Sequence, residues 1–307
     1  MKRLFLLLLC VCLLAGCAGK APHAQQTVYA MDTVMDLQTW GADCETATSQ
    51  LQDLIAGLEA DWSVTIEDSL INRLNAGGVV LTQEQHELLE QISAMKELTY
   101  GLYDPQLYSL CSAWGFYGQQ FRVPSDNEIA QAQALKRWDL GGALKGYCGD
   151  KAVALLDTLN IEYAILNLGG NIQTYREKPD GSPWQIGIQN PDGGDYIGIV
   201  SVTGTMAVVT SGDYQRSFEA DGKTYHHILD PRTGYPADSG LRSVTVISEE
   251  GLTADCLSTA LFVMGLEEGT QFWRENRDFE AVFLTADGKL YATEGVKLTG
   301  CAFEVIT

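Results

Sequence analysis

Apolar and polar residues alternate over residues 27–40, which predicts an opening strand that ends at Gly41. From Cys44 to Leu58 the period lengthens to helical spacing, with Ala47, Leu51, Leu54, Ile55 and Leu58 on one face. A polar stretch follows, and Ser69 with Leu70, Ile71 and Leu74 reads as a short helix stopped by Ala76-Gly77-Gly78. Thr82 is placed to N-cap a helix from Gln83 to about Thr99. Residues 100–118 are dense in aromatics and turns, and Pro124-Ser125-Asp126 starts another helix. Trp138-Asp139-Leu140 reads as the end of a short strand. Gly141-Gly142 then opens a helix through Leu159 with Val153, Leu155, Leu156 and Leu159 inward. Strands dominate afterwards, at residues 163–168, 184–189, 198–202, 206–209 and 241–248, before a helix at 253–264 and closing strands at 279–285 and 296–305. Helices and strands are mixed rather than strictly alternating, which favours an α+β class over a doubly wound parallel sheet.

The leading segment has a different pattern. Lys2 and Arg3 precede an apolar run at residues 4–14, too short to span a bilayer as a mature helix. Leu14-Ala15-Gly16-Cys17 looks like a bacterial lipobox, so residues 1–16 are expected to be a lipoprotein signal peptide and Cys17 the lipidated first residue. Residues 17–26 lack periodicity and read as a tether. That leaves 27–307 as one large domain, a size near the upper limit for a single core. Of the eight cysteines, Cys44, Cys111, Cys148, Cys256 and Cys301 remain in it. They form no CxxC pair and are odd in number, so neither a zinc site nor a full disulfide framework is suggested.

The net charge of −20 argues against nucleic acid as a partner, since phosphate neutralisation needs clustered Lys and Arg. A phosphate-bearing ligand would need a metal ion or backbone amides instead. Several stretches carry candidate chemistry. Asp139-Leu-Gly-Gly-Ala-Leu-Lys145 places a glycine turn at a helix start, where free amides favour an anion and Lys145 lies one turn in. Asn167-Leu-Gly-Gly-Asn171 is a second glycine turn, with a plain hairpin bend as its simpler reading. Asp255 and Thr259, four apart, share a helix face and could offer Mg²⁺ two oxygens. His226 and His227 face opposite sides of a strand, so at most one enters a site. His226 is expected at the surface and His227 in the site. Asp230, held extended by Pro231, could accept a proton or orient an imidazole.

Taken together these segments resemble the ApbE family of FAD:protein FMN transferases. The motifs run in the family's order: MDTVMDL at Met31, SLINRLN at Ser69, YDPQLYSL at Tyr103, WGF at Trp114, DLGGALKGY at Asp139 and NLGGN at Asn167. PWQIGIQNP at Pro183, TSGDYQRSF at Thr210, HILDPRTGYP at His227, SVTVI at Ser243 and ADCLSTALFVMG at Ala254 follow. The resemblance implies a T-fold-related single large domain of mixed helices and largely antiparallel strands. It implies Mg²⁺-dependent transfer of FMN from FAD onto a Thr or Ser hydroxyl of a target flavoprotein, with AMP leaving. By the same resemblance Asp255, Thr259, Ser258 and the backbone at Gly142 hold Mg²⁺, with Ser258 standing where some members have Asp. FAD contacts fall on Met31, Tyr103, Asp104, Pro105, Asp139, Lys145 and Leu229. The usual Asp-Pro-Thr is Asp104-Pro105-Gln106 here, and the following Gly-Pro is Tyr108-Ser109. Catalysis is expected of His227 and Asp230: His227 as the base that takes the acceptor hydroxyl's proton, aligned by Asp230, with Asp230 as the alternative base. The implied acceptors are flavoprotein subunits of membrane redox complexes. The implied location is the outer face of the bacterial cytoplasmic membrane or the periplasm, through the lipid anchor. Two other readings are an FAD pyrophosphatase with water as acceptor and a non-catalytic FAD-binding lipoprotein.

Overall fold

The computed structural model describes residues 21–118 and 120–307. The expected signal peptide, Cys17 and the start of the tether lie outside the described residues. The single opening strand expected from alternation is two: β1 (His23–Ala30) and β2 (Thr33–Gly41) pair antiparallel along their whole length. Met31 and Asp32 make the turn with φ of 49° and 65°, a conformation that usually selects glycine or asparagine. Neither residue breaks the apolar alternation, which is why the turn does not show in it. β1 also begins inside the stretch read as a tether, because its first residue pairs with Trp40 and stacks its ring on that indole at 4.4 Å.

α1 (Cys44–Trp62), α2 (Leu70–Asn75) and α3 (Gln83–Leu98) follow. Ser69 caps α2, and Thr82 caps α3 in a reciprocal pair with Gln85. α4 (Tyr108–Ala113) forms inside the aromatic stretch without a side-chain cap, so it carries no start signal. Ser125 and Glu128 form a capping box at the head of α5 (Asp126–Ala134). No strand forms at residues 138–140. The Asn75 side chain bonds both backbone groups of Trp138, and the Pro105 carbonyl accepts from Asp139 N at 2.8 Å. α6 (Leu144–Leu156) stops three residues before the expected end.

The second half comprises β3 (Ile161–Asn167), β4 (Asn171–Tyr175), β5 (Trp184–Ile188), β6 (Gly198–Val202), β7 (Ala207–Gly212), β8 (Ser217–Ala220), β9 (Lys223–His226) and β10 (Leu241–Ser248). Then come α7 (Gly251–Glu275), β11 (Glu280–Thr285), β12 (Leu290–Thr293), β13 (Leu298–Thr299) and β14 (Glu304–Ile306). Helix α7 runs past the expected Met264 because Gly265, at φ 81°, kinks it without ending it. The closing strand expected at 296–305 divides at Gly300, φ 83°, so that β13 and β14 join different sheets.

A nine-stranded sheet in the order β1-β2-β3-β4-β7-β10-β11-β12-β14 is the middle layer, antiparallel except where β12 meets β14. Helices α1, α6 and α7 cover one face, over cores built around Leu37, Leu51 and Leu166 at one end and Phe262, Trp273 and Phe283 at the other. The small sheet β13-β6-β5 covers part of the opposite face through Ile186, Ile188, Val200 and Val208. The expected α+β architecture of mixed helices and mostly antiparallel strands is therefore the one found.

Two helices meet unusually closely. A Cβ placed on Gly146 of α6 would lie 2.1 Å from the Gly251 carbonyl oxygen, and one on Gly251 would lie 2.4 Å from the Gly146 carbonyl oxygen. At this crossing each helix caps the other. Asp255 of α7 accepts from Gly146 N at 2.9 Å, and Asp150 of α6 accepts from Gly251 N and Leu252 N at 2.6 and 2.8 Å. Neither helix has a cap from its own N-cap side chain, so these exchanged carboxylates satisfy donors that would otherwise be orphaned. Burial raises the Asp150 pKa to about 6, against the pull of its two amide bonds.

Gly146→Ala is expected to destabilise the protein by about 3 kcal/mol or more, because the opposing atom is backbone and cannot swing aside. Gly57→Ala, on the exposed side of α1 with no heavy atom within 4 Å of its added Cβ, should instead stabilise by about 0.5–1 kcal/mol. Urea unfolding midpoints of the two variants check both signs.

Candidate active site

A cleft of about 610 Å³ opens where the β1–β2 turn, the β3–β4 turn, the heads of α6 and α7, and the segments after β7 and β9 converge. Of the site residues expected from sequence, Met31, Tyr103, Asp104, Asp139, Gly142, Lys145, His227, Leu229, Asp255 and Thr259 all line it. Pro105, Asp230 and Ser258 do not. Glycine turns shape its walls. Asn167 Oδ1 accepts from Gly169 N and Gly170 N, folding NLGGN back between β3 and β4. Gly169, at φ 78°, lies against the β1–β2 hairpin, where a Cβ would meet Thr33 Cγ2 at 2.2 Å. That stretch, read as a simple hairpin bend, is both a bend and a wall of the cleft.

One corner gathers oxygen. Asp255 is buried, and while its Oδ2 caps α6, its Oδ1 makes no hydrogen bond among the described residues. Thr259 stands one turn further along α7, its Oγ1 3.3 Å from Ser211 Oγ. A Cβ on Gly142 would sit 3.4 Å from Thr259 Oγ1, so a glycine there keeps the corner open. The Ser258 hydroxyl lies behind the wall, bonded to Ser211 Oγ at 2.8 Å and to its own helix at Asp255 O. It steadies Ser211 instead of facing the cleft, which corrects its place among the metal ligands. Among the described residues no group of three His, Cys, Asp or Glu could cage a metal. One carboxylate with neutral oxygens is nonetheless a donor set that fits Mg²⁺, a hard cation that completes its shell with water and substrate phosphates.

The rest of the wall is aromatic and apolar, and it reaches the oxygen corner at Tyr103, whose ring a Cβ on Gly142 would meet at 3.3 Å. Tyr103, Phe116, Tyr117, Leu144 and Leu229 border it, and Asp139 sets its polar edge, accepting from the Tyr117 hydroxyl and from Gly141 N at 3.0 Å. Burial raises the Asp139 pKa, with those two bonds pulling it back. Asp104 contributes to the cleft's outline while its carboxylate is held by Lys96 at 2.8 Å and Lys136 at 3.3 Å. Pro105 acts from outside the cleft, its carbonyl anchoring Asp139 N. Two buried polar groups on the walls, Tyr103 OH and Asn171 Nδ2, have no hydrogen-bond partner among the described residues. Buried polar groups are rarely left so, and both are donors suited to a ligand.

His227 Nδ1 lies 2.9 Å from the Gln215 carbonyl. A carbonyl only accepts, so Nδ1 carries the proton and Nε2, with no hydrogen bond among the described residues, keeps its lone pair. Burial, reinforced by Arg216, His226 and Lys145, pushes the His227 pKa down to about 3. The orienting group is therefore Gln215 and not Asp230. Asp230 is gripped by the Arg232 guanidinium at 2.8–3.1 Å and by Arg232 N at 2.8 Å, and it closes the turn at residues 230–234. His226 corrects a further expectation. It is buried, donates from Nε2 to the Ala237 carbonyl at 3.1 Å, and meets Phe262 edge-on.

Arg216 was not singled out by spacing, yet it lines the cleft and pairs with Asp32 at 3.0 Å across its mouth. Both residues have positive φ, 43° and 65°, as does Met31 beside them. Strained non-glycine residues of this kind tend to cluster at functional sites. The sequence signal for Arg216 was its place in the TSGDYQR stretch, which has no spacing rule of its own.

Residues 31–283 match the ApbE family. The chain is 34% identical over 270 residues to an FAD:protein FMN transferase of Klebsiella pneumoniae, covering 78% of this chain and 83% of that one. It is 29% identical over 334 residues to one from Treponema pallidum, covering 93% and 92%. The crystal structure of the ApbE protein of Thermotoga maritima superposes with a TM-score of 0.82 at 31% identity, over 89% of this chain and 97% of that one. The apo flavinyl transferase ApbE of Pseudomonas stutzeri gives 0.77 at 29% identity, over 92% and 95%.

The depressed pKa of His227 has a stability consequence. A folded value of about 3 against an ordinary 6.5 means that protons bind the unfolded chain more tightly. The stability tied to neutral His227 is complete above about pH 6.5 and drains away as the pH falls from there towards 3. Chemical denaturation at pH 7.5 and pH 5 should show a smaller loss for His227→Gln than for the wild type. Equal losses would show that the imidazole is not desolvated.

Proposed function

The chain belongs to the ApbE family, it is an FMN transferase that draws on FAD, and from that premise we propose how its own residues perform the transfer. The observation that carries the reading is the oxygen corner of Asp255, Thr259 and Gly142 in the same cleft as His227. The isoalloxazine ring lodges on the aromatic wall of Tyr103 and Tyr117, beside Asp139 and Leu229. The diphosphate lies at the head of α6, near Lys145 and Arg216, where helix amides and both cations favour an anion. Asp255 Oδ1, Thr259 Oγ1 and the Gly142 carbonyl would hold Mg²⁺, which when bound would supply positive charge to offset that of the diphosphate.

The acceptor hydroxyl, on a Thr or Ser of a partner flavoprotein, attacks the phosphorus on the riboflavin side. A new oxygen–phosphorus bond forms there, the bond to the bridging oxygen breaks, and that oxygen departs with AMP. The hydroxyl proton passes to His227 Nε2, whose readiness is set by the Gln215 carbonyl on the other nitrogen. A pKa of about 3 makes His227 a weak base in the free protein. An arriving diphosphate offsets Arg216 and Lys145, two charges that add to burial in depressing it, and so strengthens the base. Asp230 shapes the chain behind His227 and takes no proton.

We further propose that Cys17 is lipidated and holds the domain at the outer face of the cytoplasmic membrane or in the periplasm, where flavoprotein subunits of membrane redox complexes are its acceptors. The lipobox-like Leu14-Ala15-Gly16-Cys17 supports this. Cys17→Ser should release an active, soluble protein from membranes, as fractionation and intact-mass measurement would show. Wild-type protein recovered without an acyl mass would refute the anchor.

Mass spectrometry after mixing the protein, FAD, Mg²⁺ and an acceptor flavoprotein subunit tests the chemistry. FMN added to the acceptor, with AMP released, is the expected outcome; free FMN and AMP without an adduct would mean that water is the acceptor. Asp255 is buried and caps α6, so Asp255→Ala would also orphan an amide at about 1–3 kcal/mol. Asp255→Asn keeps an acceptor for Gly146 N, and should stay folded while losing Mg²⁺-dependent turnover. His227→Gln should retain FAD binding and slow transfer by about 10²–10⁴.

A further inference from the structure

Beside the cleft runs a second hollow of about 420 Å³, which the mechanism does not use. Its floor is the part of the nine-stranded sheet's face at the margin of the small sheet, where the half-buried Ile165 and Ile172 lie among Asp36 and Gln38, with Val208 buried beneath. One wall is β5, every residue of which from Gln185 to Ile188 lines it. Among the described residues β5 is an edge strand, paired only with β6. Ser201 N of β6 donates to Lys297 O, towards β13, so its neighbours Val200 and Val202 turn their backbone groups towards β5. Their partners Ile186 and Trp184 answer them, which leaves the N–H and C=O groups of Gln185 and Gly187 on the open side.

The two hollows are continuous. Asn167, Gly170, Gln189, Thr210 and Gln215 line both. Gln189 directly follows β5, and the Gln215 carbonyl is the group that fixes His227. An unpaired strand edge therefore leads along a half-apolar floor to the proton acceptor.

We propose that this hollow is the docking groove for the acceptor protein, which lays an extended segment along the free edge of β5 as an added strand and so delivers its Thr or Ser hydroxyl past Gln189 to His227. The proposal rests on the transferase reading above. Pairing along all five residues of β5 covers about 17 Å. Backbone hydrogen bonds to Gln185 and Gly187 provide grip without demanding sequence, while the half-buried Ile165 and Ile172 of the floor accept small apolar side chains at alternate positions. The groove holds no Lys or Arg, so it does not select an acidic segment.

The test uses the full chain with FAD, Mg²⁺ and a pool of ten-residue synthetic peptides, each with one threonine. Mass spectrometry identifies the FMN-bearing peptides, and the best of them is then used for kinetics. Gln185→Pro removes an edge N–H, and proline is tolerated on an edge strand. It should raise the KM for that peptide at least tenfold while FAD affinity and the unfolding midpoint stay at wild-type values. Gln185→Ala, which keeps the N–H, should behave as wild type, and Gln38→Trp, which fills the groove from the floor, should reproduce the proline effect. In hydrogen exchange, the amides of Gln185 and Gly187 should slow when the peptide is added. An unchanged peptide KM in Gln185→Pro with no slowing overturns the groove, as does a wild type that releases AMP from FAD yet modifies no peptide. A wild type that releases no AMP with peptide or protein acceptors instead overturns the transferase mechanism on which the groove depends.

Discussion

Helices α6 and α7 can cross as closely as they do only because a glycine sits on each side of the contact, and the site depends on that crossing. With Gly146 against Gly251, the carboxylate of each helix reaches the bare amides of the other. Asp255 is thereby fixed by a bond to Gly146 N at the same point where it presents its second oxygen to the cleft. Gly142 and Lys145 precede and open α6, and Thr259 lies one turn along α7, so their relative placement follows from one packing contact. Precise placement of charge matters most in phosphoryl transfer, where alignment and electrostatics carry most of the rate.

The same crossing resolves the electrostatic difficulty set by a net charge of −20. A phosphate ligand meets local fields before the overall one. The head of α6, Lys145 and Arg216 make one side of the cleft attractive to an anion, although Asp32, Asp104, Asp139 and Asp255 also line it. Several of these acids are already engaged: Asp104 by two lysines, Asp139 by Tyr117 and Gly141, Asp32 by Arg216. Among the described residues, Asp255 alone of these acids retains an oxygen free of hydrogen bonds.

Much of this was legible in the chain itself. Capping residues marked α2, α3 and α5 because Ser69, Thr82 and Ser125 satisfy local amides, an interaction written within four residues. The Asp255/Thr259 pair was legible for the same reason, since helical spacing alone puts both on one face. Features built by distant contacts were not. α4 starts without a cap, and Trp138 is held out of a strand by Asn75, 63 residues away. The turn at Met31 and Asp32 uses residues that ordinarily avoid positive φ. Proximity along the chain pairs Asp230 with His227, yet a nearer partner, Arg232, takes its carboxylate. His227 turns instead to Gln215, 12 residues back, across a hairpin that spacing did not reveal.

The first strand also sets the reach of the molecule. β1 runs from His23 to Ala30, and the turn that follows it forms a lip of the cleft. Eight residues in extended conformation span about 27 Å, so the chain enters the domain at the end of β1 remote from the catalytic opening. Whatever holds the protein by residues before His23 therefore holds it from behind. The cleft is left clear on the other side, and β5 links the two ends, starting at Trp184 beside the Trp40 indole on which His23 stacks and ending next to Gln189 of the cleft.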